Sequence, residues 1–371
     1  MKQNGLYSSL ATPGVQGLQP YQPGKPVSEL ERELGIKNII KLASNENPLG
    51  PSPRVLDVIR GALGDLARYP DGSGFSLKDV LASNLNIGTG QITLGNGSND
   101  VLEMVARTFL SPGEEAVFSR HAFAVYPIVT QAVGARARVA SATPDYGHDL
   151  EAMAALVGER TRVVFIANPN NPTGTYLERG ALNRFLAALP ERVVCVVDEA
   201  YFEYVEAEDY PDCVPWVENY SNLVVTRTFS KAYALAGLRV GYAVSNLEIA
   251  DLLNRVRQPF NVNSLALLAA EAALRDQDHL ARSIELNRLG LRQLNEGLGA
   301  MGLRVLPSVG NFVCVDVDRA AAPVYQDLLR QGVIVRPVAN YELPNHLRVT
   351  VGTQAENDSF IEALAAVLDH D

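Results

Sequence analysis

Several polar side chains stand directly after short Val-rich runs, and together they can carry out amine–carbonyl chemistry. RVVFIA leads into NPNNPTG, which supplies Asn168, Asn170 and Asn171. RVVCVV leads into Asp198, with Tyr201 three residues on. NLVVTR leads into TFSK, which ends in Lys231, and Arg239 follows eight residues later. Earlier, QITLG leads into NGSND at a helix start. A lysine buried near other cations loses basicity and becomes a nucleophile toward aldehydes. A carboxylate such as Asp198 can hold a protonated heterocyclic nitrogen. Two unit charges ~3 Å apart at an effective dielectric of ~20 attract by roughly 5 kcal/mol before desolvation. Ser98 and Asn99 offer backbone N–H groups at a helix N-terminus, where the helix dipole favours a phosphate. Ser230 and Arg239 add hydrogen bonds, charge-assisted in the case of Arg239. An amine for an aldehyde, a carboxylate for a ring nitrogen and a cradle for a phosphate are together the needs of pyridoxal phosphate.

Each group has an ordinary reading when taken alone. A lysine after a strand is commonly a solvated charge, Asp198 could cap a turn or helix, and Arg239 could serve a salt bridge. NPNNPTG could be a rigid Asn/Pro turn. GNGSND lacks the third glycine of a dinucleotide-binding loop. The order and spacing of all five argue against a joint accident.

The elements that must position these groups alternate along the chain. EEAVFS, RVVFIA, RVVCVVD, NLVVTR and RVGYAV are short apolar runs bounded by turn residues, and helix-like stretches such as ERGALNRFLAALP lie between them. Strands buried on both faces read as continuous apolar runs, so the pattern predicts an α/β domain with a mostly parallel sheet. Ligands bind such sheets outside the carboxyl ends of the strands, where the polar groups stand. Ser98, Asn99 and Asp100 resemble an N-cap cluster ahead of VLEMVARTFL. The division expected is an N-terminal arm over 1–45, with a short helix at VSELERELG, a large domain over 46–265, and a smaller α+β domain over 266–371. The arm is expected to pack on the site and the small domain. The last part opens on the amphipathic pattern ARSIELNRLGLRQLNEGLGAMG and continues with strand candidates near 303–306, 312–317, 333–335 and 346–351 and a closing helix from 355.

With 371 residues, 47% hydrophobic and 20% charged, the chain can bury a large core, and disorder is excluded as its main state. The formal net charge of −10 and the lack of any basic run argue against a nucleic-acid partner. No apolar run is long enough to span a bilayer, and MKQNGLYSSLATPGVQGLQP has no apolar signal core. Three cysteines, two inside strand-like runs, suit unpaired thiols in a reducing compartment. A cytoplasmic protein without a membrane partner is expected. His121, His148, His279, His346 and His370 form no metal-ligand spacing, and neither GxSxG nor HExxH occurs.

NPNNPTG, DEAY and SKAYALAGLRVGY, taken with LQPYQPG, KLASNENPLGPSP, RYPDGSG, HAFAVYP and LRVTVGT, resemble the fold-type I, pyridoxal-phosphate-dependent aminotransferases along nearly the whole chain. Within them the chain is similar to the histidinol-phosphate aminotransferase family. The resemblance implies that Lys231 bonds the cofactor aldehyde and then moves the proton, while Asp198 pairs with the ring nitrogen. Tyr201 and Asn171 would hydrogen-bond the ring hydroxyl. Phe123 would stack on the ring, where many relatives have Tyr, and Tyr126 is the next aromatic, with a core position as its ordinary reading. Gly97, Ser98, Asn99, Thr228, Ser230 and Arg239 would surround the phosphate. Tyr69 would reach the phosphate of a neighbouring subunit, which implies a homodimer with shared sites. Arg348 and Arg336 would bind substrate anions, Tyr21 would cover the substrate, and Asn45, beside Glu46, would enter the site. The implied reaction exchanges an amino group between L-histidinol phosphate and 2-oxoglutarate, giving imidazole-acetol phosphate and glutamate, in histidine biosynthesis.

Three rival readings share the same scaffold, two of them enzymatic. An aromatic aminotransferase for phenylalanine or tyrosine would also meet a flat ring and an anion. A phosphothreonine decarboxylase would release CO₂ from an amino acid. A non-catalytic ligand sensor of this fold would carry an added DNA-binding domain, and the arm is too short and too little basic for one.

Overall fold

The computed structural model describes residues 5–369; His370 lies outside them. Its centre is a seven-stranded sheet in the spatial order Ile92–Gly95, Gly241–Ser245, Leu223–Thr228, Val194–Asp198, Thr161–Ala167, Glu115–Ser119, Arg136–Ala140. Only Gly241–Ser245 runs antiparallel to its neighbours. Val194, Cys195, Val196 and Val197 are all buried, as are the residues of the two strands that flank them save Arg162, so helices cover both faces. Each such Val contributes about 1.5–3 kcal/mol by leaving water. The two faces pack into separate apolar clusters, one centred on Val164, Ile166 and Val197, the other on Phe165, Val196 and Tyr126.

Parallel pairing aligns the strand ends that matter. Ala167 lies opposite Asp198, and Asp198 opposite Thr226. The helix Ser98–Phe109 starts beside the same edge. Its N-cap is Gly97, not the Ser98–Asp100 cluster expected from the sequence. Asp100 lies inside the first turn and accepts from the Asn96 N–H at 2.8 Å, tightening the preceding loop instead.

A second, antiparallel sheet has the order Arg336–Val338, Leu343–Thr350, Phe312–Asp316, Arg304–Leu306. The helix Gln277–Ala300 and the closing helix Gln354–Asp369 pack with it. Asp276 caps the long helix by accepting from the His279 N–H at 3.3 Å. The helix Ser264–Leu274 straddles the division expected at 265, and all of it packs with the large domain, on Pro53–Ala62 and Phe75–Leu85, sharing the core of the large sheet. Its Ala-rich buried face explains this, since small side chains let the three helices approach closely. From the N-terminal arm, Ile40–Lys41 pairs in parallel with Val333–Ile334. The arm also contains two short helices, Leu6–Leu10 and Pro13–Gln16, with no buried residue in either. No helix among the described residues is long and apolar enough to cross a membrane.

Candidate active site

One cavity opens between the carboxyl edge of the large sheet and the small sheet. Its wall includes Lys231, Asp198, Tyr201, Asn171, Phe123 and Arg348. Ser98, Asn99, Thr228, Ser230, Arg239, Asn45, Tyr21 and Arg336 also border it. The cavity wall thus draws on strand ends, a helix start, loops, the small sheet and the arm.

Asp198 closes its strand and is buried. Thr226, its partner on the next strand, donates to Oδ1 at 2.8 Å, and Tyr126 donates to Oδ2 at 3.1 Å. Burial pushes the Asp198 carboxyl up to about 6, against the pull of these two hydrogen bonds and of the Lys231 charge. Lys231 is half-buried because it faces the cavity, and its Nζ donates to the Ser44 carbonyl at 3.1 Å. Burial brings its ammonium down to about 7, aided by the Arg348 and Arg239 charges and opposed by Glu46 and Asp198. At neutral pH roughly half of such amines are unprotonated, so Lys231 is available as nucleophile and base.

Tyr201 accepts at its phenol oxygen from Asn45 Nδ2 at 2.8 Å and from Asn171 Nδ2 at 3.2 Å. With both acceptor positions used, its own O–H is free to donate into the cavity. Burial pushes its hydroxyl up to about 12, so it keeps that proton at neutral pH. Asn171 Oδ1 accepts from Arg348 Nη1 at 2.6 Å, which fixes the amide's orientation. Arg348 Nη2 donates to the Ala43 carbonyl at 2.6 Å, and its buried Nε has no partner. Of five guanidinium N–H donors, two are bound to protein and the rest remain for a ligand.

The phosphate cradle is built by close packing. Gly97 has φ +81°, and a Cβ there would meet Arg239 Nη2 at 2.5 Å. A Cβ on Gly241 would meet the Ser98 nitrogen at 2.5 Å. Two glycines therefore let a helix start, a strand and a guanidinium converge. Arg239 itself has φ 58°, an uncommon conformation for a residue with a side chain. Its Nη1 donates to Ser230 Oγ at 3.4 Å, and Thr228 Oγ1 donates to the same Ser230 oxygen at 3.0 Å. These donors suit a phosphate, and the buried Asp198 and enclosed Lys231 suit a pyridine aldehyde, so the residues fit pyridoxal phosphate. Gly97→Ala is expected to weaken binding of pyridoxal phosphate about tenfold, because the new methyl displaces Arg239. Fluorescence titration of the apoprotein checks this; an unchanged dissociation constant would contradict it.

Some expected residues lie elsewhere. Tyr69 is 82% exposed, stacked on Phe260 at 4.7 Å, and outside this chain's own cavity. Gly97 sits under Arg239 without bordering the cavity. Asn168 and Asn170 are spent on the chain itself: Asn168 holds Leu177, and Asn170 donates to the His121 carbonyl and to Thr173. Both Asn168–Pro169 and Asn171–Pro172 are cis. Sequence reasoning missed Thr226 and the Ser44 carbonyl, and it left Tyr126 among core aromatics. A signal existed for Thr226, which precedes the lysine segment on the strand beside Asp198. The three cysteines are buried and free, and among the described residues no group of His, Cys, Asp or Glu is placed to hold a metal.

Comparison with known proteins adds independent findings. Residues 37–364 match the profile of the family described as aminotransferase class I and II. The chain is 61% identical to a protein of Pseudomonas fluorescens strain Pf0-1 named histidinol-phosphate aminotransferase 2, covering 98% of this chain and 99% of that one. It is 60% identical to a protein of the same name from Methylococcus capsulatus, covering 97% and 99%. Among solved structures, it superposes with TM-score 0.91 on the histidinol-phosphate aminotransferase of Sinorhizobium meliloti in complex with pyridoxal-5'-phosphate. That protein is 31% identical, with 98% of each chain covered.

Proposed function

The chain belongs to the class I and II aminotransferase family, and we propose that it transfers an amino group between L-histidinol phosphate and 2-oxoglutarate, with pyridoxal phosphate as cofactor, in histidine biosynthesis. The relatives at about 60% identity support the substrate assignment. The observation that carries it is a pair of arginines. Arg336 and Arg348 lie directly opposite each other on neighbouring antiparallel strands, and both border the cavity that contains Lys231. Like charges so placed repel, and an anion between them relieves that cost. Histidinol phosphate brings a phosphate, and 2-oxoglutarate brings two carboxylates. The same fork can read either, because guanidinium donors match both shapes.

Bound pyridoxal phosphate supplies the electron sink that makes a substrate C–H bond acidic. The protein's residues do the rest. Lys231 Nζ would hold the cofactor at its aldehyde carbon and, once the substrate amine had displaced it there, the freed amine would carry the proton from the substrate carbon to the carbon that receives it. Asp198 would keep the ring nitrogen protonated. Tyr201 would donate to the ring hydroxyl oxygen, with Asn171 beside it. Phe123 would lie against the ring face, and Ser98, Asn99, Thr228, Ser230 and Arg239 would hold the phosphate, with Gly97 leaving them room. Tyr21 covers the substrate: its ring lies 5.9 Å from the Arg336 guanidinium, whose Nη2 also donates to the Gln22 carbonyl. Asn45 orients Tyr201.

We place the working form as a cytoplasmic homodimer. Tyr69, exposed and outside its own cavity, would complete the neighbouring one, and Leu63, Leu66 and Phe75 add exposed apolar surface on the same stretch. Arg348→Ala is expected to lower kcat/KM for histidinol phosphate by about 10²–10³ and to abolish its preference over unphosphorylated histidinol. Steady-state kinetics with both compounds checks this. An unchanged affinity for histidinol phosphate would remove Arg348 from substrate recognition.

A further inference from the structure

Outside the cavity, one aromatic side chain bridges the two sheets at a place the reaction does not use. Tyr146 lies in the tight turn after the edge strand Arg136–Ala140, closed by the Thr143 N–H to the Gly147 carbonyl at 3.0 Å. Its φ is 60°, a strained conformation for a bulky residue, and such strain persists only where the surroundings enforce it. Its ring meets His121 edge-on at 5.4 Å and also meets His346 edge-on at 5.5 Å. His121 belongs to the large-sheet body and His346 to the strand Leu343–Thr350 of the small sheet. The Arg304 guanidinium, also from the small sheet, lies 5.7 Å from the same ring. Tyr146 and Ala124 pack against a small-sheet cluster that includes Cys314, Val338 and Tyr341.

Each histidine is tied to one half of the catalytic apparatus. The His121 carbonyl accepts from Asn170, inside the loop that delivers Asn171, and His121 stands two residues before Phe123. Its Nδ1 lies 2.7 Å from the Tyr341 carbonyl. A carbonyl only accepts, so that nitrogen carries the proton and the bond crosses from one body to the other. Tyr341 stands between the strand of Arg336 and the strand of Arg348. His346 is two residues before Arg348, is buried, and has neither ring nitrogen hydrogen-bonded; its Nε2 is 3.8 Å from Asp316. A buried ring with unbonded nitrogens costs stability, and here the ring packs against Tyr146.

We propose that Tyr146, in ring contact with both His121 and His346, is a positioning residue that sets the small-sheet arginines in register with the cofactor-facing loops of the large sheet. Arg336 and Arg348 must stand at a fixed distance from Lys231 to present the substrate carbon to it, and an ångström of misplacement is costly. The ring stack fixes that distance from outside the cavity. Other ties, among them the Val309 N–H to the Gly174 carbonyl at 3.1 Å and Arg348 Nη1 to Asn171 Oδ1 at 2.6 Å, join the bodies on the same asparagine loop, so removing the ring contacts loosens the register without separating them.

This inference rests on the aminotransferase reading, and its test uses glutamate, whose use does not depend on histidinol phosphate being the partner substrate. Tyr146→Ala and His346→Ala holoenzymes are expected to raise KM for glutamate and 2-oxoglutarate about tenfold. The cofactor absorption band and its affinity should stay within about twofold of wild type, because Lys231, Asp198 and Arg239 all lie on the large-sheet body. Tyr146→Phe keeps the ring and should retain the wild-type KM. The double variant should be no worse than either single one, since both break the same stack. If Tyr146→Ala gives no soluble holoenzyme, Tyr146→Leu reads the same split with the apolar plug kept. A KM within twofold of wild type, or two effects that multiply, would overturn the proposal. So would an equal rise in Tyr146→Phe. Wild-type enzyme that uses glutamate but not histidinol phosphate would instead overturn the substrate assignment and leave this test intact.

Discussion

Lys231→Ala is expected to lower transamination by about 10⁴-fold or more, the largest effect of any single substitution. The side chain has two roles, and both end with it. It supplies the amine that bonds the cofactor aldehyde and the base that moves the proton, and removing a general acid–base group alone costs about 10²–10⁴. The fold prepares the first role by holding the ammonium near 7, chiefly through burial and then through the Arg348 charge. Below that value the amine is protonated and cannot attack. Capture of pyridoxal phosphate by the wild-type apoprotein should therefore slow about tenfold for each pH unit below 7. Stopped-flow absorbance at several pH values checks the slope, and borohydride reduction checks the attachment. Lys231→Ala protein that still retains cofactor covalently after borohydride would contradict the assignment.

Asp198→Asn is expected to leave cofactor bound but lower the chemical step by about 10³-fold. A carboxylate ~3 Å from a protonated ring nitrogen contributes roughly 5 kcal/mol before desolvation, and a neutral amide contributes little of that. The carboxyl must be ionised to act. Burial holds it near 6, so the Thr226 and Tyr126 hydrogen bonds, which favour the charged form, act in the useful direction. Loss of activity as pH falls through 6 follows from the same sign, because a carboxyl raised by burial takes its proton back there. Single-turnover kinetics with glutamate measures the step directly. An Asp198→Asn enzyme within tenfold of wild type would show that the ring nitrogen is held by something else.

The parts of the site that the chain announces are those fixed by local sequence. Asp198 and Lys231 follow apolar strands, and a buried parallel strand reads as an unbroken run of Val and Ile. Arg348, Arg336 and Tyr21 were legible through the segments that contain them. What stayed hidden depends on which elements meet. The strand Arg136–Ala140 is four-fifths exposed at the sheet edge and carries two arginines, so no apolar run marks it. Tyr126 looks like any core aromatic, and it is one: its ring stacks on Phe165 at 4.9 Å while its hydroxyl reaches Asp198, 72 residues away in the chain. The helix Ser264–Leu274 has an apolar pattern that fits either domain, and only its partners decide. Tyr146 has no pattern at all, because its role is set by a turn and by two histidines from separate bodies.

The most direct test of the account is one half-reaction. Purified yellow enzyme is mixed with L-histidinol phosphate, and in parallel with phenylalanine, and the loss of the cofactor's visible absorption is followed. The arginine pair beside Lys231 predicts much faster conversion with histidinol phosphate. Faster conversion with phenylalanine would keep the fold and the Lys231 chemistry but contradict the assigned substrate.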